Sequence, residues 1–325
     1  MSTGGSIDVH AHYLPPFYAE EMHKREMWIV AGLPVPEWSP EQALEFMDAH
    51  GVAKQILSVS DPGVEFVGEQ PAPALARRCN DYGASLVASH PDRFGALGVL
   101  ALSSPEEAVS EAVRTLDNLN LDGVSMLSSV GGRYPGDPAF EVLMSELNAR
   151  AAWVFVHPTV PDLPPALGIP ESVVEFPFDT TRAIISLIFN GVFDRHPRIR
   201  WHFAHGGGTI AMLRLRLQAL ARNAKDLGQV IGLPEGAWTL TENSVPNALL
   251  SSFFDTALIA DAPSLEAVGG IAGPGKVMFG SDWPFAGRLY PPTGTLQPAI
   301  EDVFDRTTSA SVRRGAALGQ FKVRA

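Results

Sequence analysis

The chain has 325 residues, and its 24 lysines and arginines stand against 36 aspartates and glutamates, which gives a net charge of −12. Hydrophobic residues make up 46% of it and charged residues 18%, a composition that excludes a disordered chain. The acidic balance also argues against nucleic acids and anionic membranes as partners, because both require a cationic surface.

Cysteine usage and the N-terminal segment both favour a cytoplasmic protein. Cys79 is the single cysteine, so no disulfide can form within the chain. The segment from Met1 to Ser6 has neither the basic nor the apolar region of a secretory signal. The sequence contains no run of about 18 apolar residues, and we therefore expect no membrane span.

Short strand-like runs alternate with helical patterns along the chain, beginning with a predicted strand over Ile7–His12. Residues 13–39 follow as a loop rich in proline and aromatic side chains, which we regard as a candidate active-site loop. Seven further strands are predicted, of which the seventh in the chain has the weakest pattern: Gln55–Ser60, Phe94–Leu100, Gly123–Leu127, Trp153–His157, Ile199–Ala204, Phe253–Asp255 and Val277–Phe279.

Helical patterns separate these strands, and two of them carry a start signal. Ser39 and Ser104 are each followed by Pro-Glu and then by Gln or Glu, which is the sequence of a capping box. Another helix is predicted from Thr180 to Phe193, with Asp179 as a candidate N-cap. The remaining predicted helices cover Pro73–His90, Phe140–Ala151 and Thr209–Ala221.

Eight strands, each followed by a helical segment, are typical of parallel β-α-β units. A single (β/α)8 TIM barrel over residues 1–325 fits this length better than two stacked domains do. In such a barrel the carboxyl ends of all strands meet at one face, where active sites lie. We therefore expect one domain with its site at that face.

Five side chains with metal-binding or acid-base chemistry fall at predicted strand ends: His10, His12, His157, His205 and Asp282. Residues i and i+2 point the same way on an extended strand, so the first two can bind one cation together. Zn²⁺ takes three or four nitrogen or oxygen ligands. A lone His-x-His is weak evidence for a metal site, but here several such side chains all occur at strand ends. This pattern predicts a mononuclear site with the ligands His10, His12, His157 and Asp282. His205 is then an acid/base group or a fifth ligand.

Four short motifs surround these residues: Asp8–His12, Val156–Pro158, Ala204–Gly208 and Gly280–Pro284. Together they resemble the amidohydrolase superfamily, within its aminocarboxymuconate semialdehyde decarboxylase branch. Two further segments, Ile56–Gly63 and Glu175–Ala183, are similar to the 6-methylsalicylate decarboxylase group of that branch. The resemblance covers nearly the whole chain, and its motifs occur in the family's order.

The resemblance implies a (β/α)8 barrel with one divalent metal, usually zinc and sometimes manganese. It gives the acid/base role to His205 and the ligand roles to the same four residues as the spacing does. It also implies a homodimer. Each of these features is an expectation for the structure and for the protein in solution.

Two residues that relatives use have no counterpart here. Binuclear members place a carbamylated lysine at the end of strand four, whereas Val124–Ser128 contains no lysine, so we expect one metal rather than two. The semialdehyde decarboxylases hold a second substrate carboxylate with an arginine after strand two. The stretch Ser58–Val64 has no arginine, which favours a monocarboxylic aromatic acid as substrate.

These observations predict a metal-dependent, non-oxidative decarboxylase of an aromatic hydroxy-acid, with 6-methylsalicylate giving 3-methylphenol and CO₂ as the specific reaction. Either His205 or Asp282 delivers a proton to the ring carbon, and the reference pKa of histidine, near 6.5, suits proton transfer at neutral pH. The candidate walls of an apolar slot for the substrate ring are Trp283 and Phe285, and the candidates for its cover are Phe178, Trp28 and Trp38.

Two other functions stay open at this point. A hydrolase on the same site would direct metal-bound water at a lactone or an amide, with His205 or Asp282 as the base. A metal-bearing barrel that serves only as a binding module would hold a ligand without turnover. The metal ligands do not distinguish the decarboxylase from the hydrolase, but the products do. A decarboxylase releases CO₂ and a phenol, whereas a hydrolase releases a ring-opened acid.

Overall fold

A barrel of eight parallel strands forms the centre of the computed structural model, which describes residues 4–233, 238, 240–273 and 275–321. The strands are β1 (Ser6–His12), β2 (Val52–Ser58), β3 (Phe94–Val99), β4 (Gly123–Leu127), β5 (Trp153–His157), β6 (Arg200–Phe203), β7 (Phe253–Asp255) and β8 (Val277–Met278). Each strand pairs with the next one in the chain. Backbone hydrogen bonds join the residues that follow the last strand to the first strand, from Val9 N to Phe279 O (3.0 Å) and from His12 N to Trp283 O (2.8 Å). The predicted (β/α)8 barrel is confirmed.

Helices surround the barrel and follow most of the strands. They are α1 (Pro16–His23), α2 (Pro40–His50), α3 (Ala72–Ser89), α4 (Pro105–Val113), α5 (Glu141–Ala149), α6 (Glu171–Phe189), α7 (Val192–Arg195), α8 (Ile210–Arg222), α9 (Ala224–Val230), α10 (Ser244–Ser251), α11 (Ala262–Ala272), α12 (Ala299–Val303), α13 (Arg306–Ala310) and α14 (Ala316–Leu318). Within the described part of the chain, no helix is both long and apolar enough to cross a membrane.

The segment 13–39 contains regular structure that the sequence did not predict. It holds α1 and a two-stranded antiparallel ribbon of Ile29–Val30 and Leu33–Pro34. Proline suits the first position of α1, and Tyr18 and Met22 bury one face of that helix. The ribbon also contacts the start of α6, where Ser172 N donates to Ala31 O at 3.1 Å.

Both helices with a predicted start signal begin where expected, but only one of them has the predicted side-chain cap. Ser39 caps α2, since its side chain accepts a hydrogen bond from Gln42 N at 3.2 Å, and Gly51 ends the helix with a φ of 65°. The side chain of Ser104 makes no capping hydrogen bond, although α4 begins directly after it. The backbone of Ser104 still takes part, because its carbonyl accepts from Ala108 N at 2.9 Å.

The helix predicted to begin at Thr180 begins nine residues earlier, at Glu171, and continues through Pro177. Asp179 is therefore not an N-cap but a buried residue in the middle of α6. Its carboxylate accepts hydrogen bonds from Ser129 Oγ at 2.9 Å and Tyr134 OH at 2.6 Å. These tertiary contacts hold a stretch of helix that proline alone would interrupt.

Two apolar clusters form the core. The larger one lies between the barrel and its helices, and the smaller one fills the barrel interior with side chains such as Ile7, Val9 and Phe155. Phe321 packs on Trp153, the first residue of β5, with ring centroids 4.7 Å apart. The amino-terminal end of the barrel is thereby packed with aromatic side chains, and polar side chains gather at the opposite end.

Candidate metal centre

An irregularity in β1 brings its two histidines to the barrel interior. Asp8 is paired with Gln55, and Ala11 is paired with Leu57. An advance of three residues along β1 therefore matches an advance of two along β2, and the extra residue forms a β-bulge. Asp8 stabilises the bulge by accepting a hydrogen bond from His10 N at 3.2 Å. His10 consequently faces inward, where its ring lies 4.9 Å from that of Phe155.

Four buried side chains from three strand ends converge beyond this bulge. His10, His12, His157 and Asp282 each place one ligand atom within 4.8 Å of the others. The Nε2 atoms of His10 and His12 are 3.1 Å apart, and His12 Nε2 lies 3.0 Å from Asp282 Oδ1. The four residues chosen from strand spacing therefore lie together at the carboxyl end of the barrel.

The other ring nitrogen of each histidine has an acceptor beside it. His10 Nδ1 lies 2.9 Å from Asp255 Oδ2, His12 Nδ1 lies 3.3 Å from Ser58 O, and His157 Nδ1 lies 2.7 Å from Pro158 O. Carboxylates and carbonyls only accept hydrogen bonds, so Nδ1 carries a hydrogen, and in the neutral ring that a metal requires the Nε2 lone pair faces the cluster. Lone pairs so close repel each other unless a cation lies between them. This donor set fits one divalent cation.

The electrostatics of the cluster also favour a positive charge. Burial lowers the pKa of His10, but the carboxylates of Asp255 and Asp282 outweigh it and raise that pKa to about 10. Burial holds the pKa of His157 well below its usual value, so this imidazole stays neutral, as a metal ligand must be. A bound divalent cation supplies the positive charge that the two carboxylates stabilise.

Asp255, at the end of β7, connects the ligands to the acid/base candidate. Its Oδ2 contacts both His10 Nδ1 and His202 Nε2 at 2.9 Å, and its Oδ1 accepts a hydrogen bond from His205 N at 3.0 Å. Asp255 was predicted on a strand, without a role in the site. The available signal was its position, since it is an acidic residue at a strand end, as Asp282 is.

Strict alternation along β6, continued to an inward-facing His205, predicts that His202 points towards the helices, and this prediction is wrong. Its ring centroid lies 4.5 Å from that of Phe155 inside the barrel, and its Nε2 contacts Asp255. Alternation along a strand fails as a guide here because β6 ends at Phe203 and His205 takes a positive φ of 52°. The turn brings two histidines three residues apart to the same side.

His205 lies beside the four candidate ligands with one ring nitrogen unengaged. Its Nε2 is 3.7 Å from Asp282 Oδ2. This nitrogen is buried, and no hydrogen-bond partner for it occurs among the residues that the structure describes. Glycines 206–208 follow, all with positive φ, and at Gly208 a Cβ would approach the carbonyl oxygen of Pro177. The glycine turn thus lets α6 pack closely beside His205.

Two phenylalanines flank the histidines. The ring centroid of Phe285 is 5.6 Å from that of His12, and the ring centroid of Phe176 is 5.8 Å from that of His157. Phe285 was among the predicted pocket residues, whereas Phe176 was not singled out. Its position in the motif Glu175–Ala183 was the signal available.

The other predicted pocket residues have different surroundings. Trp283 stacks on Phe46 of α2 with centroids 5.1 Å apart, and Phe178 on α6 is 45% exposed. Trp28 is 57% exposed and stacks on His23, and Trp38 packs near Tyr13. None of these four rings makes an aromatic contact with the ligand histidines within the described residues.

Comparison with known proteins gives the family. The amidohydrolase sequence profile matches residues 7–317, nearly the whole chain. The chain belongs to the amidohydrolase family. This amidohydrolase is 33% identical to the decarboxylase macB of Penicillium terrestre, over 97% of this chain and 94% of that protein. It is 32% identical to the 6-methylsalicylic acid decarboxylase acuB of Aspergillus aculeatus, over 87% of this chain and 85% of that one.

A solved structure supports the same fold for the amidohydrolase. It is the 5-carboxyvanillate decarboxylase of Novosphingobium aromaticivorans, complexed with manganese and 4-hydroxy-3-methoxy-5-nitrobenzoic acid. The two chains share 20% identity and a TM-score of 0.82, over 99% of this chain and 97% of that one. The resemblance to the superfamily and to its semialdehyde decarboxylase branch is confirmed. The names of these relatives agree with the enzyme class expected from the sequence.

We expect the substitution Asp255→Asn to weaken metal binding by the amidohydrolase about 10- to 100-fold, the usual cost of losing a partner behind a metal-bound histidine. An asparagine oxygen can accept from only one of the two donor groups that Asp255 serves. Its NH₂ group must then face either the His10 and His202 rings or the backbone N–H of His205 and Ala257.

Titration of the metal-free protein with Mn²⁺ measures this loss. Asp261→Asn is the matched control, because this substitution makes the same chemical change away from the site. Asp261 is exposed and caps the N-terminus of α11. Equal Mn²⁺ affinity in Asp255→Asn and the wild type would contradict the role of Asp255.

Asp61 is a buried carboxyl group next to the cluster of the amidohydrolase. It follows Ser60, whose Oγ lies 3.4 Å from His157 Nε2, and it accepts a hydrogen bond from the Thr159 hydroxyl. Burial raises the pKa of Asp61 to about 7, and the nearby carboxylate of Asp179 adds to this increase. The folded state therefore binds a proton that the unfolded state has already released at pH 5 to 7.

We expect Asp61→Asn to stabilise the amidohydrolase at pH 8 relative to the wild type, on the order of 2 kcal/mol, and to have little effect near pH 4. The sign follows from the raised pKa. The folded wild type binds more protons than the unfolded chain between pH 4 and 7, so its stability falls as the pH rises through this window. Urea unfolding of both proteins at several pH values measures the difference. A difference that does not change with pH would contradict the prediction.

Proposed function

We propose that this chain is a metal-dependent, non-oxidative decarboxylase of a hydroxylated aromatic acid, with 6-methylsalicylate as substrate and 3-methylphenol and CO₂ as products. The observation that carries the proposal is the free Nε2 of His205 beside three inward-facing imidazoles and the Asp282 carboxylate. The relatives named above support the reaction class, and the 6-methylsalicylic acid decarboxylase among them supports this choice of substrate.

His10, His12, His157 and Asp282 would hold the cation, for which we propose zinc, with manganese as the alternative. Three imidazoles and a carboxylate suit zinc. Manganese is the metal in the 5-carboxyvanillate decarboxylase structure described above. A divalent cation, when bound there, supplies the Lewis acidity that fixes a carboxylate and its adjacent hydroxyl group.

His205 is the proton donor in this proposal. Its Nε2 delivers a proton to the ring carbon that bears the carboxylate, and the carbon–carbon bond then breaks. The electron pair of that bond stays with the ring, CO₂ leaves, and His205 takes a proton from water. Asp282 is the weaker candidate because the imidazoles around it outweigh its burial, which alone would raise its pKa, and hold that pKa well below the usual value.

Phe176 and Phe285 are the proposed walls of the slot for the aromatic ring. Both rings lie beside ligand histidines, so they contact a substrate that reaches the cation. Apolar walls bind a flat ring and leave its polar groups to the cation and His205. The absence of arginine and lysine from Ser58–Val64 supports a substrate with a single carboxylate.

The test uses protein loaded with Zn²⁺ or Mn²⁺ and incubated with 6-methylsalicylate, salicylate and dihydroxybenzoates. We expect equal amounts of CO₂ and 3-methylphenol from the first acid, and no turnover after a chelator has removed the metal. In D₂O the 3-methylphenol should carry one deuterium at the carbon that lost the carboxylate. Failure to release CO₂ from any acid, with metal bound, would overturn the proposal and favour hydrolysis of a lactone or an amide.

We also propose that the protein is a homodimer in the cytoplasm. Resemblance to the branch supports the dimer, and several exposed apolar side chains offer surface for an interface, among them Trp28, Ile29 and Val173. Light scattering during size-exclusion chromatography should give twice the chain mass of 34.9 kDa. A mass of one chain at micromolar concentration would contradict the dimer.

A further inference from the structure

The turn that carries Asp282 has an unfavourable backbone conformation. Asp282 has a φ of 57°, in the left-handed region that residues with a side chain rarely adopt. Such a conformation persists only where the surroundings hold it. The contacts of Gly280, Ser281 and Asp282 therefore decide where the carboxylate lies.

β1 and β7 hold this turn from the barrel side. Ser281 donates to Asp8 through its N–H at 2.9 Å and through its hydroxyl at 2.6 Å. Gly280 N donates to Thr256 Oγ1 at 3.2 Å. These three hydrogen bonds hold two backbone N–H groups and one hydroxyl of the turn, and they leave its carbonyl groups to other partners.

A segment after β8, residues 287–298, binds the carbonyl groups, and we name it the strap. Tyr290 OH donates to Ser281 O at 2.7 Å, and Gln297 Nε2 donates to Gly280 O at 2.7 Å. Gln297 is 6% exposed and its amide is fully used, since Oε1 accepts from Thr256 Oγ1 at 2.6 Å. Gln297 Nε2 also lies 3.3 Å from Tyr290 OH, which links the two side chains.

We propose that Tyr290 and Gln297 are positioning residues that set the location of the Asp282 carboxylate and thereby the affinity of the site for its cation. This inference rests on the metal site proposed above. The two side chains bind the two carbonyl groups immediately before Asp282, so their loss frees the turn to relax from its left-handed conformation. The carboxylate then moves away from His10 and His12.

The two variants Tyr290→Phe and Gln297→Glu remove these donors with little change in shape. Phenylalanine lacks the hydroxyl that binds Ser281 O. Glutamate can still accept from Thr256 but has no hydrogen for Gly280 O when ionised. His50→Ala is the matched control, because His50 Nδ1 contacts the strap at Gly294 O, 2.8 Å away, without touching the turn.

The measurement is the dissociation constant of Mn²⁺ for each metal-free protein, from the electron paramagnetic resonance signal of the free ion. We expect this constant to rise about 10-fold or more in Tyr290→Phe and Gln297→Glu, as for other partners behind metal ligands, and to stay at the wild-type value in His50→Ala. The thermal midpoint of metal-free Tyr290→Phe, which deletes a single hydroxyl, should stay near that of the wild type, so this variant decides the matter if Gln297→Glu does not fold.

Wild-type affinity in both variants would overturn the inference, and so would an equal loss in His50→Ala. Failure of the wild type to bind either Mn²⁺ or Zn²⁺ is a different result, because it would overturn the metal site itself. The experiment needs no substrate, so an error in the proposed reaction would leave its outcome unchanged.

Discussion

His10→Ala should lose its bound metal and its turnover together. In the proposed site the imidazole contributes one of four ligand atoms, and it is also the ring that contacts Asp255 through Nδ1. Removal of a ligand costs more than removal of the partner behind it, so we expect metal binding to weaken by at least about 100-fold. Decarboxylation should fall to the uncatalysed rate at metal concentrations that saturate the wild type.

Metal analysis of the desalted protein and CO₂ release by the same sample measure both effects. His196→Ala is the control, because His196 is also a buried histidine but pairs with Glu141 Oε1, 2.9 Å away and outside the cluster. This control should bind as much metal as the wild type. Full metal content in His10→Ala would show that His10 is not a ligand.

The sequence predicted the barrel and the four clustered side chains because both depend on local signals. Apolar runs and helix starts mark the order of elements, and parallel strands bring their carboxyl ends to one face whatever the details of packing. His10, His157 and Asp282 could therefore be placed together although they are far apart in the chain. The side-chain cap expected at Ser104 and the helix start expected at Thr180 were wrong, and at Thr180 the contacts of Asp179 with other elements decided the outcome.

The supporting residues could not be predicted for a physical reason. Asp255 and Gln297 act through hydrogen bonds to neighbours distant in the sequence, and such partners follow from packing rather than from periodicity. The direction of His202 depended on where β6 ends, and the inward direction of His10 depended on a bulge. Trp283 carried a strong motif signal, yet its neighbour on α2 determined where the ring packs.

His205→Asn should keep the metal and lose turnover by about 10²- to 10⁴-fold, the range that general acid catalysis contributes. Asparagine is the suitable replacement because it tolerates the positive φ of 52° at this position and keeps the backbone N–H that binds Asp255. The change therefore removes the ring nitrogen beside Asp282 without disturbing the four ligands. The substitution should therefore lower the rate of proton transfer and leave the metal affinity unchanged.

Metal content, binding of 6-methylsalicylate and the single-turnover rate of CO₂ release separate these contributions. A lower rate with unchanged metal content and substrate affinity supports His205 as the proton donor. If the rate stays at the wild-type value, the proton must come from another group, of which Asp282 is the second donor that the sequence suggested. A loss of metal in His205→Asn would instead identify His205 as a fifth ligand, the second role that its position beside Asp282 allows.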